Sequence, residues 1–154
     1  MSDKRTVPVS ELVDQVKGQQ QRQQQALMQP TLAELCVALN NALSTVVSAK
    51  HIHEKQAGGS KIKFVPHYHV KNYLDFIVKL WEWEITKLVI GPKRIYLVGK
   101  LTIYGCDGKL SRDATACEDL ECSSYGDPSS NAEAMALRRA AMAFGFCRTM
   151  WGKK

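Results

Sequence analysis

The sequence predicts an α+β fold in which an antiparallel three-stranded meander and a glycine hairpin pack on a C-terminal helix. Within residues 81–86, tryptophan and isoleucine alternate with glutamate and threonine, which is the two-residue period of a strand. Asp107-Gly108 is a hairpin signal between two further stretches of strand-like alternation. Residues 132–144 contain six alanines, whose small side chains allow a helix to lie close against a sheet.

The first 30 residues are predicted to form a flexible, glutamine-rich tail. Gln19–Gln25, interrupted only by Arg22, has no apolar face, so burial cannot offset the entropy lost on ordering. A short helix is expected over Ser10–Lys17. The domain itself is therefore predicted to span residues 31–154.

The N-terminal half of the domain is marked by caps, glycines and apolar periods. Thr31 followed by Glu34 is a capping box, and the apolar helix that it opens is predicted to run to about Lys50. Gly58-Gly59 separates two short segments within residues 51–65 that can pair as that hairpin. Apolar residues three and four positions apart predict an amphipathic helix over residues 67–80.

The last strand and the last helix are bounded by turn and cap residues. The third strand of the meander is predicted over Leu110–Glu121. Ser130 and Glu133 match a second capping box, so the final helix is predicted over Ala132–Phe144, with Gly145 in the C′ position.

Charge is unevenly distributed along a chain whose formal net charge is +6. Eight bases and three acids give +5 over residues 60–100, two bases and six acids give −4 over residues 105–130, and five bases and one acid give +4 from residue 131 onward. A surface polarised in this way favours a polyanion, and nucleic acid is the commonest polyanion in the cytosol. A basic domain with scattered lysines is the alternative.

Cysteine usage and hydropathy bear on the compartment. The five cysteines include no C-x-x-C pair, so we expect free thiols in a reducing environment. No apolar run approaches the roughly 20 residues of a membrane span, and the first residues lack a secretory apolar region. We expect a cytoplasmic, nucleoid-associated protein, with an organelle matrix or a phage origin as alternatives.

Two basic constellations are candidates for phosphate binding. Arg138 and Arg139 are adjacent on the final helix and point about 100° apart, so one can face a groove while the other braces a neighbour. In the glycine hairpin, Lys55, Lys61 and Lys63 supply positive charge for phosphates. The glycines let the protein backbone approach a ligand closely, and Phe64 can stack on a base. Solvated arginines and an ordinary hairpin with a core phenylalanine are the alternatives.

Enzymatic and metal chemistry find weaker support. The sequence contains no G-x-x-x-x-G-K-[ST] motif, so ATP hydrolysis is not expected. The pairs His51-x-His53 and His67-x-His69 lack a matching cysteine pair, so we expect no zinc site. Acidic residues cluster within residues 107–121, as in a two-metal nuclease, but turn chemistry and an exposed strand face explain them more simply.

Two segments of the chain carry recognisable motifs. The hairpin has Ala-Gly-Gly, then a lysine and an apolar-aromatic strand: Lys55, Ala57, Gly58, Gly59, Lys61, Ile62 and Phe64. The segment Ser130–Trp151 reads A-E-A-M-A-L-R-R-A and then F-G-F-C-R-T-M-W. With the tryptophan strand between them, these segments resemble the DNA-binding domain of the Rad52 family of single-strand annealing proteins, which has bacterial and phage relatives such as DdrA. The resemblance covers about residues 31–151.

The resemblance implies a closed ring of subunits with a basic groove around its outside. It implies groove contacts for Lys55, Lys61, Arg138 and Arg139, and a second, outer basic position at Lys93 or Arg94. Cys147 replaces a family glycine, and Met142 stands where some members carry a third base. The DNA-binding residues predicted in all are Lys55, Lys61, Lys63, Lys93, Arg94, Arg138, Arg139 and Arg148.

The function implied is ATP-independent binding of single-stranded DNA and annealing of complementary strands, in DNA recombination and the repair of DNA damage. No enzymatic activity, cofactor, metal or membrane contact is expected. The implied partners are single-stranded DNA, further copies of the chain, and a single-strand-binding protein or a recombinase. A plain single-stranded nucleic-acid-binding protein, for DNA or RNA and without annealing activity, is the alternative.

Overall fold

The elements of the domain surround one antiparallel sheet. A computed structural model describes residues 8–27, 29–57, 59–121 and 127–150. The chain is α+β, with a three-stranded antiparallel sheet and a C-terminal helix, as predicted. Its elements are α1 (Val9–Leu27), α2 (Leu32–Thr45), β1 (His53–Ala57), β2 (Ser60–Phe64), α3 (His67–Ile77), β3 (Trp81–Ile90), β4 (Arg94–Gly105), β5 (Gly108–Asp119) and α4 (Pro128–Ala143), with 3-10 turns at Ala49–His51 and Arg148–Met150.

The sheet is the predicted meander, in the order β3-β4-β5. Ile95, Leu97, Leu101 and Ile103 form the buried face of β4, and the alternate residues of the strand face away. β5 begins at Gly108, two residues before the predicted start, because Gly105 pairs with Gly108 around a two-residue turn. Gly108 has φ 139°, a conformation that glycine adopts at no steric cost.

Helix α4 lies close against this sheet through its alanines. Ala132 and Ala136 are fully buried and pack with Ile95, Leu97 and Ala116. Since alanine adds only one methyl group beyond the backbone, the helix axis can approach the strands closely. The alanine pattern thus predicts this contact correctly.

A second close contact places Trp83 across the sheet. Trp83 lies opposite Leu101 on β4, and its ring covers the neighbouring Gly99, where an added Cβ would lie 2.1 Å from the nearest ring carbon. The indole Nε1 of Trp83 donates a hydrogen bond to Glu133 Oε1 of α4 at 3.2 Å. Trp83 therefore ties β3 to the helix.

Helices α2 and α3 complete the core. Leu39 of α2 and Leu74 of α3 are fully buried and pack with Ile103 and Leu137 in one cluster. The predicted capping box opens α2: Glu34 N donates to Thr31 Oγ1 at 3.3 Å, and Thr31 N donates to Glu34 Oε2 at 2.8 Å. These hydrogen bonds also hold the pKa of Glu34 below its usual value.

Two helices end earlier than predicted. α2 stops at Thr45, where the hydroxyls of Ser44 and Thr45 both donate to Asn41 O and compete with the helical hydrogen bonds. α3 stops at Ile77 because the chain turns at Lys79, whose φ is 67°.

The cap predicted for the final helix was wrong. Asp127 is the N-cap residue, and its carboxylate accepts hydrogen bonds from Ser130 N at 2.9 Å and from the hydroxyls of Ser129 and Ser130. These bonds lower the pKa of Asp127 strongly. Pro128 follows as the first helical residue, a position that its fixed φ suits, so α4 begins four residues earlier than predicted.

The N-terminal segment contains a longer helix than the short one predicted. α1 runs from Val9 to Leu27 and includes the glutamine-rich stretch. The side chains of Val13 and Val16 are exposed. The division into a flexible tail and a domain beginning at residue 31 stays a prediction. In the described part of the chain, no helix is long and apolar enough to cross a lipid bilayer.

Substituting Gly99 tests the contact with Trp83. We expect Gly99→Ala to lower the free energy of unfolding by about 1–3 kcal/mol, because the new methyl group overlaps the indole and forces one of them to move. Urea unfolding followed by tryptophan fluorescence measures the change. Gly18→Ala is the control, since a Cβ there meets nothing within 4 Å. Equal stability of Gly99→Ala and the parent protein would contradict the packing described.

Candidate nucleic-acid interface

The glycine hairpin has two chemically different faces. β1 and β2 pair antiparallel, with Glu54 opposite Lys63 and Gln56 opposite Lys61. Because directly opposed residues of an antiparallel pair share a face, Lys61 and Lys63 lie together with Glu54. Gly58, at the tip, lies outside the described residues.

The opposite hairpin face carries Lys55 and Phe64. Lys55 is opposite Ile62, and His53 is opposite Phe64. The rings of His53 and Phe64 have centroids 6.1 Å apart. The predicted hairpin lysines are thus divided, with Lys55 on one face and Lys61 and Lys63 on the other.

The lysines on the Glu54 face remain accessible despite their ion pairs. Lys61 Nζ and Lys63 Nζ lie 3.9 Å and 3.8 Å from the two Glu54 oxygens, and the two lysine side chains are 72% and 64% exposed. Exposed ion pairs contribute at most about 1 kcal/mol. A phosphate can therefore compete with Glu54 for either lysine.

Arg138 joins helix α4 to the hairpin. Its guanidinium carbon lies 5.3 Å from the centroid of the Phe64 ring, within the range of a cation–π contact. Arg138 is half-buried, and its Nε is enclosed with no hydrogen-bond partner among the described residues. Burial, reinforced by the charge of Arg139, lowers the pKa of Arg138. The Arg138 guanidinium is therefore held beside the hairpin with a positive charge that no described carboxylate neutralises.

Arg139 points in a different direction, as the helical period predicts. Its Nη1 donates a hydrogen bond of 2.6 Å to Thr115 O on β5, an edge strand of the sheet. The side chain is exposed, and across the described ranges neither Arg138 nor Arg139 forms an ion pair. Both guanidinium charges are therefore left without a carboxylate partner in these ranges.

The predicted outer basic position lies in a cleft at the β3–β4 turn. This cleft is lined by Gly91, Pro92, Lys93, Arg94, Tyr96 and Asp119. Arg94 Nε donates to Asp119 Oδ1 at 2.6 Å, and this hydrogen bond raises the pKa of Arg94. Lys93 is exposed and forms no ion pair with a described residue. Of the two, Lys93 is the better placed to receive a phosphate.

Arg148 follows α4 in a 3-10 turn. Its Nη2 donates to Ala143 O at 3.3 Å, which satisfies one of the carbonyl groups left open at the end of the helix. The side chain is exposed. Trp151, at the end of the recognised motif, lies outside the described residues.

One further arginine near the final helix was missed. Arg112 on β5 lies opposite Leu101, on the sheet face that packs against α4, and its guanidinium carbon is 5.6 Å from the Phe144 ring centroid. The two-residue period of β5 would have identified it, because Leu110, Ala114 and Ala116 occupy the same face.

The histidines contact aromatic neighbours. The rings of His51 and His69 stack at 3.7 Å, and His51 Nδ1 lies 2.8 Å from Tyr73 Oη. In the ranges that the structure describes, no three histidine, cysteine or acidic side chains converge as metal ligands would. Cys122 lies outside those ranges.

Together, the fold and the cations define the class: an α+β domain whose hairpin and final helix carry exposed positive charge. No family model matches the chain. It is 28% identical over 116 residues to DNA repair RAD52-like protein 1, mitochondrial, of Arabidopsis thaliana, which covers 74% of this chain and 64% of that protein. It is also 31% identical over 83 residues to DNA repair RAD52-like protein 2, chloroplastic, of the same plant. That match covers 53% of this chain and 42% of that protein.

These similarities confirm the resemblance that the sequence motifs indicate: the chain is homologous to Rad52-like proteins. The chain spans less than two thirds of the length of either relative.

Proposed function

We propose that this protein binds single-stranded DNA and anneals complementary strands, without ATP, in DNA repair and recombination. The observation that carries the proposal is the Arg138 guanidinium, which lies over Phe64 of the hairpin and forms no ion pair with a described residue. The names of both relatives, which describe DNA repair proteins, support the biological role.

The proposed mechanism is electrostatic. Arg138 and Lys55, which lies on the hairpin face that carries Phe64, neutralise phosphates of one strand and release its counterions. Lys61 and Lys63 exchange Glu54 for phosphate on the other face of the ribbon. Because these contacts are made to the phosphates and not to the base edges, the bound bases stay free to pair with a second strand. Base pairing then supplies both the specificity and the driving force.

Annealing of this kind needs no covalent step. The chain has no phosphate-binding loop of the G-x-x-x-x-G-K-[ST] type, and Gly99-Lys100 lies inside β4. The proposal therefore assigns no catalytic residue and no nucleotide cofactor. A single-strand-binding protein or a recombinase remains a proposed partner in repair.

We also propose that copies of the chain assemble into a closed ring. Residues 85–90 of β3 are all exposed although four of them are aliphatic, and β3 is an edge strand with unpaired backbone groups. Such a strand is a ready surface for a neighbouring subunit. The acidic segment 105–130 and the basic segments on either side of it supply complementary charge for the same assembly.

The second candidate function is binding of single strands without annealing. The exposed cations favour it equally, because they would hold RNA or DNA by its phosphates in either case. What separates the two functions is whether bound bases remain available for pairing.

Removing either arginine of α4 should weaken DNA binding. We expect Arg138→Ala and Arg139→Ala each to weaken binding of oligonucleotides of every sequence and to reduce the salt slope by about 0.7 for each phosphate that is no longer neutralised. Fluorescence anisotropy with oligo-dT at several salt concentrations measures both quantities. The control is Lys109→Ala, which removes an exposed charge from the sheet face that points away from α4. A variant with the parent's slope would remove that arginine from the proposed site.

An annealing assay tests the proposed activity. We expect the protein to speed the pairing of two complementary dye-labelled DNA strands without ATP or metal, because phosphate contacts leave the bases exposed. Fluorescence energy transfer follows the pairing, and matched RNA strands show the preference for DNA. Binding accompanied by slower annealing would identify the second candidate function instead.

Charging the exposed edge strand should disrupt assembly. Leu88 and Ile90 are 50% and 68% exposed, so Leu88→Lys with Ile90→Lys costs little in the monomer but places cations in the proposed contact. We expect light scattering at micromolar protein to show an oligomer for the parent and smaller species for this variant. Val37→Lys, at a valine that is 60% exposed on α2, is the control. A monomeric parent protein would contradict the ring.

A further inference from the structure

A shallow groove between α3 and α4 lies beside the proposed DNA site. It has a volume of about 80 Å³, with His67 and Lys71 on one side and residues of α4 on the other. His67 and Lys71 are four residues apart, so both side chains lie on the same face of α3. The α4 lining consists of Ser130, Glu133, Ala134 and Leu137.

The groove continues the surface that carries Arg138. Arg138 comes one helical turn after Ala134, which lines the groove, and the rise of that turn is about 5.4 Å. The positive charge of Arg138 is also one of the causes that lower the pKa of His67. The groove and the Arg138–Phe64 contact are therefore neighbouring parts of one surface.

The charges around the groove are predominantly positive. Lys71 and Arg138 are cationic, and His67 becomes so on protonation. Among the described residues that line the groove, Glu133 is the single acid, and its Oε1 already accepts the hydrogen bond from Trp83 Nε1. Ser130 is occupied with the N-cap residue Asp127 through both its amide and its hydroxyl. A phosphodiester entering the groove would thus meet two or three cations and one engaged carboxylate.

We propose that the α3–α4 groove is a proton-linked phosphate subsite, in which Lys71 and protonated His67 hold a phosphodiester next to the one bound by Arg138. The inference rests on the proposed function, which it extends to two residues and to a dependence on pH.

The direction of the pH dependence follows from the charges that face His67. In the free protein, burial lowers the pKa of His67, the charges of Lys71 and Arg138 lower it further, and Glu133 opposes them. The neutral form of His67 is therefore favoured in the free protein relative to an exposed histidine. A bound phosphodiester adds a negative charge and raises the pKa of the imidazole. Binding then takes up a proton, so affinity increases as the pH falls through the interval between the free and bound pKa values.

The test measures binding of fluorescein-labelled oligo-dT at pH 5.5, 6.5 and 7.5 and constant ionic strength. For the parent protein we expect tighter binding at low pH, approaching about tenfold for each unit by which DNA raises the pKa of His67. His67→Gln should match the parent at pH 7.5 and lose most of the increase at pH 5.5. Lys71→Gln should bind more weakly at every pH, with a salt slope smaller by about 0.7.

His69→Gln is the matched control, because His69 lies on the same helix but stacks on His51 rather than lining the groove. It should retain the pH dependence of the parent. The imidazole proton resonances of His67, followed by NMR as the pH is varied with and without oligo-dT, report its pKa directly. The midpoint of this titration should move to higher pH when DNA is bound. Circular dichroism confirms that each variant is folded.

The outcomes separate this inference from the proposed function. The subsite is overturned, and the proposed function left standing, if Arg138→Ala weakens binding while His67→Gln keeps the full pH dependence and DNA does not move the His67 titration. No binding of single-stranded DNA by the parent at any pH overturns both.

Discussion

The close approach of α4 to the sheet determines where the two arginines of that helix lie. Alanines at 132 and 136 bring the helix down onto β4 and β5, and the hydrogen bond between Trp83 and Glu133 helps to set its rotation. With that rotation set, Arg138 faces the hairpin and Arg139 faces the edge of β5. Larger side chains at the alanine positions would lift the helix and separate both arginines from their contacts.

Arg138 occupies an energetically incomplete environment. A buried donor without a partner typically costs about 1–3 kcal/mol, and part of that cost is offset here by the Phe64 ring beneath the guanidinium. A phosphate that approaches the guanidinium from solvent would neutralise its charge. Arg139, in contrast, already satisfies Thr115 O and stabilises the sheet edge while its charge stays exposed. Of the two adjacent arginines, one thus lies over the hairpin and the other braces the edge of the sheet, as the helical period suggests.

Features set by neighbouring residues could be predicted from the sequence, and features set by distant ones could not. The Thr31–Glu34 box and the tryptophan strand are local, and both were predicted correctly. The cap of α4 was misplaced because Asp127 and Ser130 are both good N-cap residues, and only the position of Pro128 favours the first. The pairing of Arg94 with Asp119 depends on the register of β4 against β5, which periodicity does not specify. The contact between Arg138 and Phe64 similarly joins two residues that are far apart in the chain.

The division of the hairpin lysines gives the two faces of the ribbon different binding properties. Lys61 and Lys63 must exchange Glu54 for a phosphate, so their net gain on binding is reduced by the ion pairs they give up. Lys55 has no such competitor in the described structure and lies on the face that carries Phe64, over which Arg138 is held. Electrostatics therefore favours this face for the first phosphate contacts. A strand that begins there and follows α4 would next meet the groove of His67 and Lys71, where the cationic surface continues.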